Sequence, residues 1–200
     1  MADGARLILA SESPRRLQLL GQIGVTPDLI EAAAIAEIPK PRESPRSLAL
    51  RLACEKAEAV AARHPDDTAL ILAADTVVAR GRRVLPKPHE RKEARECLDL
   101  LSGRSHSVLT GVALVDAGKR LHTRVAITRV TFKRLSLSEL ERYLDGGEWK
   151  GKAGGYAIQG AAAAFIKTVN GSYSNVVGLP LYEVAQLLEG CGYRVGKKPS

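Results

Sequence analysis

The sequence predicts a mixed α/β domain with an elongated central sheet flanked by helices. Three observations point there. Strand and helix signals alternate through the first half of the 200 residues, as in α/β domains. Hairpin signals follow around Gly81 and at Asp116-Ala117-Gly118-Lys119. Residues 69–74 form a continuous apolar run, the mark of a strand buried on both faces.

The elements follow in order. Residues 7–10 read as a short buried strand, and Leu17, Leu20 and Ile23 then recur at helical spacing. Between them Ser13 suits an N-cap and Pro14 the first helical position. Residues 25–31 suggest a second strand, and residues 32–45 a connecting loop carrying Glu37 and three prolines. Ser44-Pro45 repeats the cap-plus-proline start. The helix it opens has an apolar stripe of Leu48, Leu52, Ala53, Ala57 and Val60, with Lys56 beside it. His64-Pro65-Asp66-Asp67 ends that helix. The apolar strand stops at Asp75-Thr76, and a hairpin around Gly81 follows. Pro86-Lys87-Pro88 holds Lys87 on a stiff extended segment. Residues 90–101 form an amphipathic helix, and residues 108–115 and 121–132 form two strands. Ser136 and Glu139 make a capping box before a short helix that ends at Gly146-Gly147. Residues 163–169 read as a strand closed by an Asn170-Gly171 hairpin turn. A last helix covers roughly residues 180–188, and a basic tail occupies about 194–200.

Composition narrows the function. Lys and Arg number 30 against 22 Asp and Glu, a net charge of +8, which suits an anionic partner. The excess forms no run of like charges, and aromatics are scarce, which argues against a nucleic-acid partner. Cys54, Cys97 and Cys191 lie far apart without a C-x-x-C pair, so neither zinc-ligand spacing nor a disulfide framework is indicated. His106 and His122 fall at strand positions and read as sheet side chains. No signal peptide or membrane-length apolar run is seen, so a cytoplasmic protein without membrane contact is expected.

Chemistry concentrates in a few stretches. Ser11-Glu12-Ser13-Pro14-Arg15-Arg16 joins strand to helix, where free backbone N–H groups and the helix dipole attract anions. Two arginines in a first turn oppose that dipole, so either a phosphate sits there or the helix is a capped surface helix with solvated arginines. Asp75 at the end of a buried strand either serves a cation or a water, or caps a turn. Gly146-Gly147-Glu148-Trp149-Lys150-Gly151-Lys152-Ala153 fails as a P-loop because Ala153 has no hydroxyl for magnesium. Lys150 and Lys152 either reach a phosphate from a flexible loop or are solvated. Residues 171–181 are structural punctuation or the wall of a cleft.

Seven of these stretches occur in the order of a known family. Ser11-x-Ser13-Pro14-Arg15-Arg16, Glu55-Lys56-Ala57, Ala74-Asp75-Thr76-Val77-Val78, Lys87-Pro88, Leu101-Ser102-Gly103, the run from Lys152 to Gly160 and the run from Gly171 to Leu181 resemble the Maf family of nucleoside triphosphate pyrophosphatases. The likeness runs from Leu7 to Val195. It implies a fold like that of inosine triphosphatases, one domain over residues 1–200 with two lobes around a deep cleft, and a homodimer. It implies hydrolysis of a small-molecule nucleoside triphosphate to the monophosphate and pyrophosphate with a divalent cation, Mg2+ or Mn2+. On this resemblance Asp75 and Glu37 are the catalytic and metal-binding acids. Ser11, Ser13, Arg15, Arg16, Lys56, Lys87 and Lys152 hold phosphates. Arg15, Thr76 and Gln159 set substrate choice. Ala-Asp-Thr with Ile-Gln-Gly resembles the branch that prefers dTTP and UTP rather than the one for 7-methyl-GTP. Ala36 departs from the pattern, since related chains often carry another acid there.

Overall fold

A computed structural model describes residues 6–65 and 68–196. In chain order the elements are β1 (Leu7–Leu9), α1 (Pro14–Gln22), β2 (Leu29–Ile30), α2 (Pro45–Ala61), β3 (Leu70–Arg80), β4 (Arg83–Leu85) and α3 (Arg91–Leu101). Then come β5 (Ser105–Val115), β6 (Leu121–Phe132), α4 (Leu137–Gly146), β7 (Ile166–Asn170), α5 (Tyr173–Val177) and α6 (Leu181–Gly190). The seven strands form one mixed sheet in the order β2-β1-β3-β5-β6-β7, with β4 folded back on β3. Pairing is parallel among β2, β1 and β3, and antiparallel from β3 through β7. The expected mixed sheet with flanking helices is present.

The alternation of side chains along each strand divides the packing by face. Leu7, Leu9, Leu70 and Leu72 pack with Leu19, Leu20, Val184 and Leu188 of α1 and α6. Ile8, Ile71 and Ala73 point the other way, against Ala53, Ala57 and Val60 of α2. A separate cluster joins the far ends of β3, β5 and β6 to α3 and α4, through Val78, Val108, Phe132, Leu98, Leu101, Leu140 and Leu144. His106 lies in that cluster at 3% exposure, its Nε2 2.8 Å from the Tyr156 hydroxyl. Burial pushes its pKa down to about 4, so it is a neutral core side chain.

Several boundaries differ from expectation. The second strand is only Leu29–Ile30. Residues 161–165 form a 3-10 turn, so the strand expected from residue 163 begins at Ile166. Asn170-Gly171 makes no hairpin; it leads from β7 into α5, a helix that the turn-rich sequence did not suggest. Residues 66–67 of the expected His64-Pro65-Asp66-Asp67 turn, and 197–200 of the tail, lie outside the described residues.

The correction with most consequence concerns Asp75. The strand does not stop there; β3 continues without a break to Arg80. Thr76, Val77 and Val78 are β-branched and favour extended backbone, and β5 pairs with every residue from Ile71 to Ala79. What stops is the neighbour on the other edge. β1 pairs with β3 only as far as Leu9↔Leu72, and β4 joins only at Val78↔Leu85. Among the described residues, no strand pairs with 73–77 on that edge. The gap opens just beyond the carboxyl end of β1, where open α/β sheets place ligands.

Candidate active site

Gly111 faces Asp75 across the β3–β5 ladder. A Cβ there would collide with the backbone of Ala49 and Leu50, so glycine lets α2 lie directly on the sheet. With α2 so close, Lys56 belongs to its buried face rather than lying beside it, at 9% exposure. Its Nζ donates to Asp75 Oδ1 at 2.6 Å and to Glu37 Oε1 at 2.5 Å. Glu37 also accepts from Lys87 on its second oxygen. Burial opposes the Glu37 charge, but hydrogen bonds from Lys56 and Lys87 prevail and hold its pKa down at about 2.

Arg51 of α2 and Arg63, two residues past its end, fasten the loop that carries Glu37. Arg51 binds Glu43 with two nitrogens, at 2.7 and 2.8 Å, and donates to the Ile38 carbonyl at 3.0 Å. Arg63 donates to the carbonyls of Ala32 and Ala33, both at 2.9 Å. Neither clamp is legible in the sequence, because the backbone oxygens that Arg51 and Arg63 hold lie 13 and 30 residues away.

The Ser11–Arg16 turn takes the expected form, with Ser13 at the N-cap and Pro14 at the first helical position. The Ser13 side chain makes no capping hydrogen bond, and Ser11 Oγ accepts instead from the Ser13 N–H. The two arginines diverge. Arg16 donates to the Gly178 carbonyl at 2.9 Å, to Ser11 Oγ at 2.9 Å and to Thr76 Oγ1 at 3.4 Å. Burial lowers its pKa, and Asp75 and Glu37 oppose that shift. The Arg15 guanidinium has no hydrogen-bond partner among the described residues, and burial alone lowers its pKa. The arginine that contradicts the helix dipole at position 16 is therefore compensated by three protein oxygens, whereas Arg15 faces open space.

That space is a cavity of about 640 Å³. Ser11, Ser13, Arg15, Arg16, Glu37, Lys56, Thr76, Lys87, Lys152 and Gln159 all line it. Asp75 does not. It is 2% exposed and lies behind Lys56, which does reach the cavity. Lys152 donates to the Glu148 carbonyl at 2.5 Å, and burial, then Arg15, lower its pKa. Thr76 Oγ1 is 2.9 Å from Thr110 Oγ1, so its hydroxyl is tied into the protein as well as facing the cavity. Gln159 is exposed at the rim. Val176, Val177 and Gly178 close one side, so the 171–181 stretch is a wall of the cleft. Gly178 has φ +133, a conformation that side chains resist, and it turns its carbonyl toward Arg16 and Thr76. The sequence signal for this wall was only its density of glycine and polar residues.

The arrangement gathers cations from four separate elements around one cavity, above a carboxylate pair joined by a lysine. It suits a polyanion with a reactive centre near the acids. Among the described residues, one group of three side chains offers converging donors for a metal ion, Asp116, His122 and Cys191. It lies outside the cavity lining. No helix among the described residues is long and apolar enough to cross a membrane.

Curated relatives match over nearly the whole chain. The chain is 58% identical over 194 residues to a protein of Caulobacter vibrioides named dTTP/UTP pyrophosphatase, covering 97% of this chain and 100% of that one. It is 56% identical over 191 residues to a protein of the same name from Rhodospirillum rubrum, covering 96% and 90%. A solved nucleoside-triphosphatase / dITP/XTP pyrophosphatase from Mycobacterium abscessus aligns over 92% of this chain and 94% of its own, with 14% identity and a TM-score of 0.43. The sequence profile of the Maf-like proteins matches residues 6–191, and on this match and these relatives the chain belongs to the Maf-like protein family.

Proposed function

We propose that the protein hydrolyses dTTP and UTP to the monophosphate and pyrophosphate. The observation that carries this reading is the Glu37–Lys56–Asp75 chain at a cavity rimmed by Arg15, Lys87 and Lys152. The names of relatives at 56–58% identity support the substrate.

In this reading the cations around the cavity hold the triphosphate. Arg15, with its guanidinium free, and Lys87 take phosphate oxygens, and Lys152 adds a third cation. Ser11 and Ser13 supply hydroxyls at the helix start. Arg16 sets the position of the Ser11 turn, Thr76 and Gly178 against one another. Asp75 is the base: once Lys56 Nζ moves off its carboxylate toward the phosphates, it removes a proton from a water whose oxygen bonds to the α-phosphorus. The bond from that phosphorus to the bridging oxygen breaks, and pyrophosphate leaves with its new charge matched by lysine and arginine. Thr76 and Gln159 carry donors and acceptors suited to a base edge.

Asp75 and Glu37 fit a divalent cation, because both carboxylates converge on one positive group, Lys56 Nζ. Two carboxylates completed by substrate phosphates are the usual donor set for Mg2+. Such an ion would neutralise charge on the phosphates and polarise the phosphorus. Ala36 supplies no third acid from this chain.

The test is pyrophosphate release from a panel of dTTP, UTP, CTP, GTP, ATP and 7-methyl-GTP with Mg2+ or Mn2+. The reading expects turnover highest on dTTP and UTP. Binding without pyrophosphate release on any nucleotide would make the cleft a nucleotide-binding site only.

A further inference from the structure

We propose that Asp116, His122 and Cys191 form a second cation site, separate from the Asp75–Glu37 pair, which takes a zinc ion through carboxylate, imidazole and thiolate.

The three residues are remote in sequence and meet only in the fold. Asp116 follows the last residue of β5, His122 is the second residue of β6, and Cys191 is the C-cap of α6. One ligand atom from each lies within 4.8 Å of the other two. Asp116 Oδ2 is 2.7 Å from His122 Nε2. Its other oxygen accepts from the backbone N–H groups of Gly118 and Arg120, at 2.8 and 2.9 Å. Cys191 is fixed by its own N–H, which donates to the carbonyls of Leu187 and Leu188 at 3.1 Å. The Asp116 carboxylate is thus set by backbone contacts, the outer support that metal ligands need. An aspartate–histidine pair alone would be an ordinary ion pair. The thiol is the donor that such a pair does not require.

Chemistry selects the ion. A thiolate and an imidazole favour zinc and disfavour magnesium. Three protein ligands leave a fourth tetrahedral position for water. The His122 side chain is 38% exposed and that of Asp116 21%, so the ion has a way in. The site is also distant from the acids of the cavity. Asp116 is five residues past Gly111, the partner of Asp75, or about 17 Å along an antiparallel strand. A bound ion would tie the end of α6 to the β5–β6 hairpin and stabilise the folded chain by mass action.

The experiment uses the full chain, freed of metal with a chelator, reduced, and titrated with Co2+ and then Zn2+. One equivalent of Co2+ is expected to give a thiolate-to-cobalt charge-transfer band, which Zn2+ abolishes by displacement. Zn2+ is expected to raise Tm where Mg2+ leaves the band untouched. Cys191→Ser removes the band, and His122→Ala weakens Zn2+ binding at least tenfold. Asp75→Asn keeps both band and affinity, which separates this site from the cavity. Absence of the band at one equivalent in the wild-type chain overturns the proposal, as does its survival in Cys191→Ser. If Cys191→Ser fails to fold, His122→Ala decides: unchanged affinity there also overturns it.

Discussion

Lys56 and Asp75 form an ion pair with 9% and 2% of their residue surfaces exposed. Replacing Lys56 by Met keeps the stem but leaves Asp75 buried without its ion-pair partner. Losing one partner of such a pair costs about 3–5 kcal/mol, whereas replacing both with apolar groups of similar size is close to neutral. Lys56→Met is therefore expected to lower the urea midpoint sharply, and Lys56→Met with Asp75→Leu to recover most of it. Equal midpoints for wild type and the single variant would show that the pair does not hold the site together. Asp75→Asn separates stability from chemistry. It keeps the shape and should lower kcat by about 10²–10⁴-fold, the range for a lost general base, with the circular dichroism spectrum unchanged. Glu37 gives a pH signature. Its folded pKa is about 2, below the ordinary value of 4.5, so between those values the unfolded chain binds more protons. Stability from Glu37 is complete above about pH 4.5 and is lost as pH falls toward 2. Glu37→Gln should flatten that part of the curve of denaturation midpoint against pH, and an unaltered slope would place the acid sensitivity elsewhere.

Between residue and fold stand the loop of residues 32–44 and the strand β3. Arg51 of α2 and Arg63 just past its end clamp the two ends of the loop, so Glu37 keeps its place although the segment contains no helix or strand. Arg51→Ala should leave the core intact and reduce kcat/KM by about tenfold or more, since small displacements of reacting groups are expensive. Steady-state kinetics beside a thermal melt tests this: activity lost only in proportion to unfolded protein would reduce the clamp to a stability element. The same two segments show what a sequence can and cannot disclose. Helix starts at Ser44-Pro45 and Ser136 were legible because caps are local chemistry. Asp75 read as a strand tip because a charge after six apolar residues looks like the end of burial. The neutralising group, Lys56, is 19 residues away, and the strand that truly ends is β1. Arg16 was legible as an anomaly, since it opposes a helix dipole. Its remedy, the Gly178 carbonyl, is 162 residues away and was not.

For the whole molecule, the net charge of +8 acts together with the placement of cations around the cavity. The candidate residues other than Asp75 line one cavity, yet sheet order and the Asp116–His122–Cys191 cluster depend on contacts that no local pattern encodes. The charge has a consequence for kinetics. A nucleoside triphosphate approaches as a polyanion, and a positive protein raises its encounter rate and its local concentration at the cleft. The Debye length is about 30 Å at 0.01 M ionic strength and about 8 Å at 0.15 M. Charges spread over the surface therefore act on the substrate only at low salt, whereas Arg15, Lys87 and Lys152 act at contact distance in both. Raising KCl from 0.01 to 0.15 M should lower kcat/KM by several-fold through KM and leave kcat nearly constant. The measurement is initial pyrophosphate release over a substrate series at each salt, with divalent cation held in excess. A kcat/KM independent of salt would mean that the overall charge takes no part in capture, and that the cations lining the cavity suffice.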